Sequence, residues 1–191
     1  MGAVAVPFVG GKLLVAVPTL SDPNFARAVV LVLDHDGDGA VGVILNRPSD
    51  TEVPDRLPEW RALAAEPGVV FVGGPVGLDS AIGLARTAGA TPPAATSSFA
   101  PLLGPIGTVD LGSDPAVVGP AIAAVRVFAG YAGWAAGQLD AEIEAGDWIV
   151  LDAVPEDVFT GEPGELWRTV LRRQGGKLAA LSRFPPDLSM N

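Results

Sequence analysis

The stretch Ala28-Val29-Val30-Leu31-Val32-Leu33, then Asp34-His35-Asp36-Gly37-Asp38-Gly39, then Ala40-Val41-Gly42-Val43-Ile44-Leu45 decides the fold. The two outer runs are continuously apolar and rich in β-branched residues. Strands buried on both faces read this way, because neither face needs a polar side chain. The segment between them carries Asp-Gly pairs, which are strong turn formers. The three pieces together predict a β-hairpin with an acidic loop.

Outward from that hairpin, residues 12–17 read as a preceding strand, stopped by Pro18. Residues 58–66 predict a short helix with Pro58 in its first turn, and residues 69–72 a strand that enters Gly73-Gly74-Pro75. A strand follows near residues 81–85. Residues 88–105, with their Ala, Pro, Thr and Ser, read as a long surface loop. A helix opens at Asp110 or Asp114 and runs through Ala124, and residues 125–128 form a strand leading into Gly130-Tyr131. The next helix spans about residues 137–145, with Leu139 and Ile143 on one face, and Gly146 ends it. Residues 147–151 are a strand. The last helix starts near Pro163 and places Leu166, Trp167, Val170 and Leu171 on one face. Arg172 and Arg173 suit its C-terminal dipole, and Gly175-Gly176 terminates it. Hairpins mixed with isolated helices indicate an α+β fold, with residues 1–191 as a single domain and no internal repeat.

Composition narrows the chemistry. The 191 residues are 49% hydrophobic and 18% charged, enough apolar surface for one domain with a sizeable core. Many tight turns are expected from 24 Gly and 18 Pro. Twelve basic residues against 22 acidic ones give a net charge of −10, which disfavours direct binding to nucleic acid. The absence of cysteine removes disulfides, thiolate nucleophiles and zinc ribbons. Met1-Gly2-Ala3-Val4-Ala5-Val6-Pro7 has neither an early basic residue nor a long apolar run, so no secretory signal is expected. No stretch has the length of a membrane span. The expectation is a cytoplasmic protein without membrane contact.

The acidic loop imitates two motifs. Asp34-x-Asp36-x-Asp38-Gly39 matches the opening of an EF-hand loop, but its twelfth position is Leu45 where a bidentate Glu is required. Gly37-x-Gly39-x-x-Gly42 matches a dinucleotide fingerprint, but it leads into a strand, and three aspartates would repel phosphate. No metal or cofactor is expected. His35 is the single histidine, so histidine-based catalysis can involve only it. A hydrogen-bonded turn residue is the plainer reading. Asn46-Arg47 ends a buried strand, and the guanidinium suits a carboxylate or phosphate, with a strand-end salt bridge as the structural reading. Gly73-Gly74 offers either a backbone anion nest or a tight turn. Tyr131, Trp134 and Gln138 surround glycines and line a ligand pocket or cap the core.

Four ordered blocks carry a resemblance. They are Leu13-Leu14-Val15-Ala16-x-Pro18-x-Leu20-x-Asp22-Pro23-Asn24-Phe25-x-Arg27 and His35-x-x-x-Gly39-Ala40-x-Gly42-x-x-x-Asn46-Arg47-Pro48, followed by Gly73-Gly74-Pro75-Val76 and Gly130-Tyr131-Ala132-x-Trp134-x-x-Gly137-Gln138-Leu139-x-x-Glu142-Ile143. The chain resembles the YqgE/AlgH family of bacterial proteins over most of its length. That resemblance implies a single α+β domain with a mixed, barrel-like sheet, no cofactor and no established activity. The transcriptional-regulator label given to some members is not a mechanism. Members commonly carry Leu-His on the strand after Gly-Gly-Pro, where this chain has Leu84-Ala85, and often Glu before the hairpin histidine, where it has Asp34.

The residues favour a non-enzymatic module, with a regulatory role open, that binds a small molecule or a protein. Its candidate ligand-binding residues are His35, Asn46, Arg47, Gly73, Gly74, Tyr131, Trp134 and Gln138. One alternative is a hydrolase-like enzyme using His35 with Asp34, Asp36 and Asp38. Another is a pure interaction scaffold with an exposed apolar patch and no enclosed pocket.

Overall fold

The computed structural model describes residues 8–89, 96–118 and 121–185. The segment read as lacking a secretory signal, residues 1–7, lies outside them. The central hairpin forms: β2 (Val29–Asp36) and β3 (Gly39–Ile44) pair antiparallel around Gly37-Asp38. On one side β2 pairs with β1 (Lys12–Ala16), and β1 with β10 (Trp148–Asp152). On the other, β3 pairs with the long β9 (Ile122–Ala135) and β9 with β6 (Val76–Thr87). The sheet continues to β8 (Ile106–Val109) and β7 (Phe99–Leu103). A side branch, β4 (Pro48–Glu52) paired with β5 (Val69–Val72), joins β9 through β5 in parallel. Among the described residues ten strands, antiparallel apart from that one pairing, curl into a half-barrel.

The continuous apolar runs are explained by burial on both faces. Val29, Leu31, Val43 and Leu45 pack with Phe71, Leu84 and Phe128 on one side. Val30, Val32 and Ile44 pack with Ala132, Trp134 and Trp148 on the other. Helix α5 (Leu166–Gln174) closes the first core with Leu166, Trp167, Val170 and Leu171, the face its spacing predicts. Helix α3 (Gln138–Ala145) covers the second with Leu139 and ends at Gly146, whose φ of 85° suits a residue without a Cβ.

Several boundaries differ from the sequence reading. The segment expected as a surface loop contains β7, with Phe99 buried. β7 is an edge strand, and an edge tolerates Pro101, whose missing N–H weakens any strand pattern. The helix expected to run to Ala124 is only α2 (Pro115–Val118), and Ile122 already opens β9. Gly119 and Pro120 are the poorest helix residues in that window. Residues 53–63 form a short α1 (Val53–Arg56) and a 3-10 turn (Pro58–Leu63). Gly175-Gly176 is a break, after which α6 (Gly176–Leu181) continues. β6 and β9 outgrow their apolar centres because each pairs the other along most of its length. Among the described residues, no helix is long and apolar enough to cross a membrane.

Candidate functional site

His35 is in strand β2 and only 6% exposed, not in the turn. A bulge between Val32 and Asp34 inserts one residue and reverses which face the following side chains meet. His35 therefore pairs with Ala40 and turns inward, while Asp34 and Asp36 stay exposed. Its Nδ1 accepts the Val9 N–H at 3.1 Å, and its Nε2 is 3.4 Å from Asp140 Oδ1 on α3. Phe8 packs edge-on against the ring, with centroids 5.2 Å apart. With Nδ1 accepting, the proton of the neutral ring sits on Nε2 and faces Asp140. Nδ1 is thus engaged, whereas the Asp140 oxygen facing Nε2 is buried without a hydrogen-bond partner among the described residues, and no hydroxyl nucleophile bonds either nitrogen there.

The flanking carboxylates do not join His35. Asp34, Asp36 and Asp38 line a shallow recess of about 270 Å³ together with Trp134. Among the described residues, no group of three His, Cys, Asp or Glu side chains has the arrangement of a metal site.

Tyr131 and Trp134 both belong to β9, which runs straight through the glycine-rich segment. They face opposite sides of the sheet, Tyr131 toward the core closed by α5 and Trp134 toward the core under α3. They therefore do not line one pocket. Glu142 organises the α3 side: its Oε2 accepts from the indole N–H groups of Trp134 and Trp148, each at 2.9 Å. Its Oε1 accepts from Gln138 Nε2 at 3.0 Å, and Gln138 Oε1 accepts the Ala135 N–H. Phe25 stacks on Trp134 at 6.1 Å. These contacts tie α3 to the sheet.

Asn46 is also a tie. Its Oδ1 accepts the Val29 N–H and its Nδ2 donates to the Arg27 carbonyl, both at 2.9 Å. Gly73 and Gly74 permit a close backbone crossing. A Cβ on Gly73 would lie 2.3 Å from the Gly130 oxygen, and one on Gly74 would lie 2.1 Å from the Tyr131 carbonyl carbon. The Gly73 N–H is already donated to the Ala129 carbonyl at 2.8 Å, so it is not free to cradle an anion.

Arg47 stands apart from this scaffolding. Its Nη2 donates to the Ala26 carbonyl at 2.9 Å and its Nη1 to that of Pro23 at 3.4 Å. The expected strand-end salt bridge does not form: no carboxylate lies within ion-pair distance of it among the described residues. With Pro23, Asn24, Ile44, Val72, Gly74, Pro75 and Leu78 it lines a recess of about 330 Å³. Val72 and Leu78 are shared with a neighbouring recess of about 740 Å³, which also holds Ser49, Thr51, Arg56, Asp79 and Ser80. The two make one groove. Its outer wall exists because β6 leaves its partner: Val76 pairs with Tyr131 but Ala81 with Ala129, so residues 77–80 arch away over Gly130. Gly77, at φ 60°, turns the chain there. Leu78, 58% exposed, and Val72, 38% exposed, are apolar side chains left on this rim.

Sequence reasoning found Arg47 and Gly74 but missed Leu78, Arg56 and the groove itself. It also missed Arg126, the one charge in the apolar run Val125-Arg126-Val127-Phe128, a signal that was available. Arg126 is 1% exposed and has no carboxylate partner among the described residues. Its guanidinium donates to the carbonyls of Val158 (2.9 Å), Thr160 (3.0 Å) and Glu66, and lies 4.5 Å from the Phe71 ring centroid. Burial pushes its pKa down to about 10, which leaves it charged at neutral pH. In the folded chain it is a clamp between β9, α4 (Pro155–Val158) and the turn before β5.

Comparison with known proteins agrees with this architecture. A UPF0301 protein of Streptomyces coelicolor is 51% identical across 100% of this chain and 99% of its own length. A UPF0301 protein of Mycobacterium avium is 45% identical, covering 95% of this chain and 90% of the relative. A crystal structure of a Corynebacterium diphtheriae protein superposes with a TM-score of 0.87 at 36% identity, covering 96% of this chain and 94% of that one. The solution structure of the AlgH protein from Pseudomonas aeruginosa gives 0.69 at 27% identity, covering 97% and 98%. The model of the AlgH-like family matches residues 13–179. On a match of that extent, the chain belongs to the AlgH-like family.

Proposed function

We propose that this protein is a non-enzymatic binding module, regulatory in role and cytoplasmic in location, which holds a ligand in the groove between Arg47 and Leu78. The observation that carries the reading is a guanidinium fixed in a groove with exposed apolar walls and, among the described residues, no acidic partner, in a chain where acids outnumber bases by 22 to 12. Recesses of roughly 300–1,000 Å³ with an apolar lining and few polar groups are the usual form of small-ligand sites. The burial of His35, its Nδ1 taken by the Val9 N–H and its ring turned from the exposed Asp34 and Asp36, favours binding over acid–base chemistry. The cysteine-free composition suits a reducing compartment.

A thermal-shift panel of metabolites, run on the wild type and on Leu78→Asp, tests this. Leu78 is exposed, so the variant is expected to keep its own midpoint within about 2 °C. A ligand at a hundredfold excess over its dissociation constant adds roughly 2.7 kcal/mol, or about 5–11 °C for a chain of this size. The expected result is a hit on the wild type that Leu78→Asp loses. A hit that raises both midpoints equally would place binding elsewhere and overturn the reading.

A further inference from the structure

Resting on that reading, we propose the class of ligand: a small amphipathic monocarboxylate, its carboxylate on Arg47 and its aliphatic body along Val72 and Leu78. Arg47 has five N–H donors, and the Pro23 and Ala26 carbonyls take only two of its nitrogens. Those bonds hold the guanidinium against the groove wall, so little freedom is lost when an anion arrives. A planar fork of this kind matches a carboxylate in a bidentate pair.

The number of negative charges follows from the surroundings. Arg56 and Asp79 line the same larger recess and offset one another, which leaves Arg47 as the groove's net charge. The chain as a whole carries −10, so each further negative charge on a ligand meets repulsion with no cation to answer it. A single carboxylate satisfies Arg47 at the least cost, and polyphosphates or acidic peptides do not.

The rest of the ligand is set by the walls. Val72, Pro75 and Leu78 offer apolar surface beside Arg47, and Val72 and Leu78 are left exposed to water. Covering them contributes roughly 25 cal/mol per Å², which inorganic anions or very small acids cannot gain.

Calorimetric titration of the full chain with octanoate, octan-1-ol and octylamine tests the proposal. Octanoate is expected to bind at least tenfold more tightly than either analogue, and tenfold more tightly to the wild type than to Arg47→Ala or Leu78→Asp. Arg47 also anchors the turn at residues 23–26, so the exposed Leu78→Asp keeps the test decisive if Arg47→Ala folds poorly. Equal binding of octanoate and octanol would overturn the carboxylate assignment. Absence of octanoate binding, alongside a panel hit that Leu78→Asp removes, would overturn the ligand class and leave the groove standing as a site. Absence of both would remove the two together.

Discussion

Gly74→Ala is expected to yield no soluble folded protein. The added Cβ would lie 2.1 Å from the Tyr131 carbonyl carbon, 2.2 Å from its oxygen and 2.4 Å from the Ala132 nitrogen. All three are backbone atoms of a strand paired on both sides, so none can move as a flexible side chain would. Relief requires separating the end of β5 from β9, which gives up the Gly73 N–H bond to Ala129 and the Ile44 N–H bond to Gly73. An overpacked, well-ordered site of this kind costs upward of about 4 kcal/mol, a large share of a domain's stability. Gly164→Ala is the control, since a Cβ there meets nothing within 4 Å. Soluble expression and circular dichroism of the two variants check the expectation. A Gly74→Ala protein with wild-type stability would mean that β5 and β9 do not cross this closely.

Arg126→Met is expected to cost about 3–5 kcal/mol, read from urea unfolding midpoints at constant m-value. Methionine keeps most of the volume and removes a charge that burial disfavours. It also leaves the buried Val158 carbonyl and the part-buried carbonyls of Thr160 and Glu66 without their donor, and an unsatisfied buried acceptor costs about 1–3 kcal/mol. The three losses outweigh the single gain. The sign of the pH dependence is separate. With the folded pKa lowered to about 10, the folded and unfolded chains are both charged below that value. Near neutral pH, stability does not respond to this group's titration, and only above about 10 does its contribution rise. A loss under 1 kcal/mol at pH 7 would contradict the clamp.

The hairpin was legible because burial on both faces leaves a continuous apolar run, and that pattern is local. The amphipathic face of α5 was legible for the same reason: Leu166, Trp167, Val170 and Leu171 recur at helical spacing. His35 was misplaced because one bulged residue at the end of β2 reverses the facing of everything after it, and no residue type announces that. Tyr131 and Trp134 were grouped because they surround the glycines of one short segment. Once the segment is a strand, a separation of three places them on opposite faces. The role of Gly73-Gly74 depends on Gly130 and Tyr131, far along the chain. The groove is equally non-local, since Arg47, Val72 and Leu78 come from three separate segments. Arg126 could have been singled out, as a lone charge within a strand that is otherwise apolar.

The claim that this groove is the binding site is tested most directly by amide chemical-shift mapping of the strongest panel hit on the isotopically labelled chain. The largest changes are expected at Val72, Gly74, Leu78 and Ser80 and in the turn at residues 23–26, with Trp134 and Gln138 unmoved. Changes centred instead on Asp34, Asp36, Asp38 and Trp134 would assign binding to the acidic recess and contradict the account.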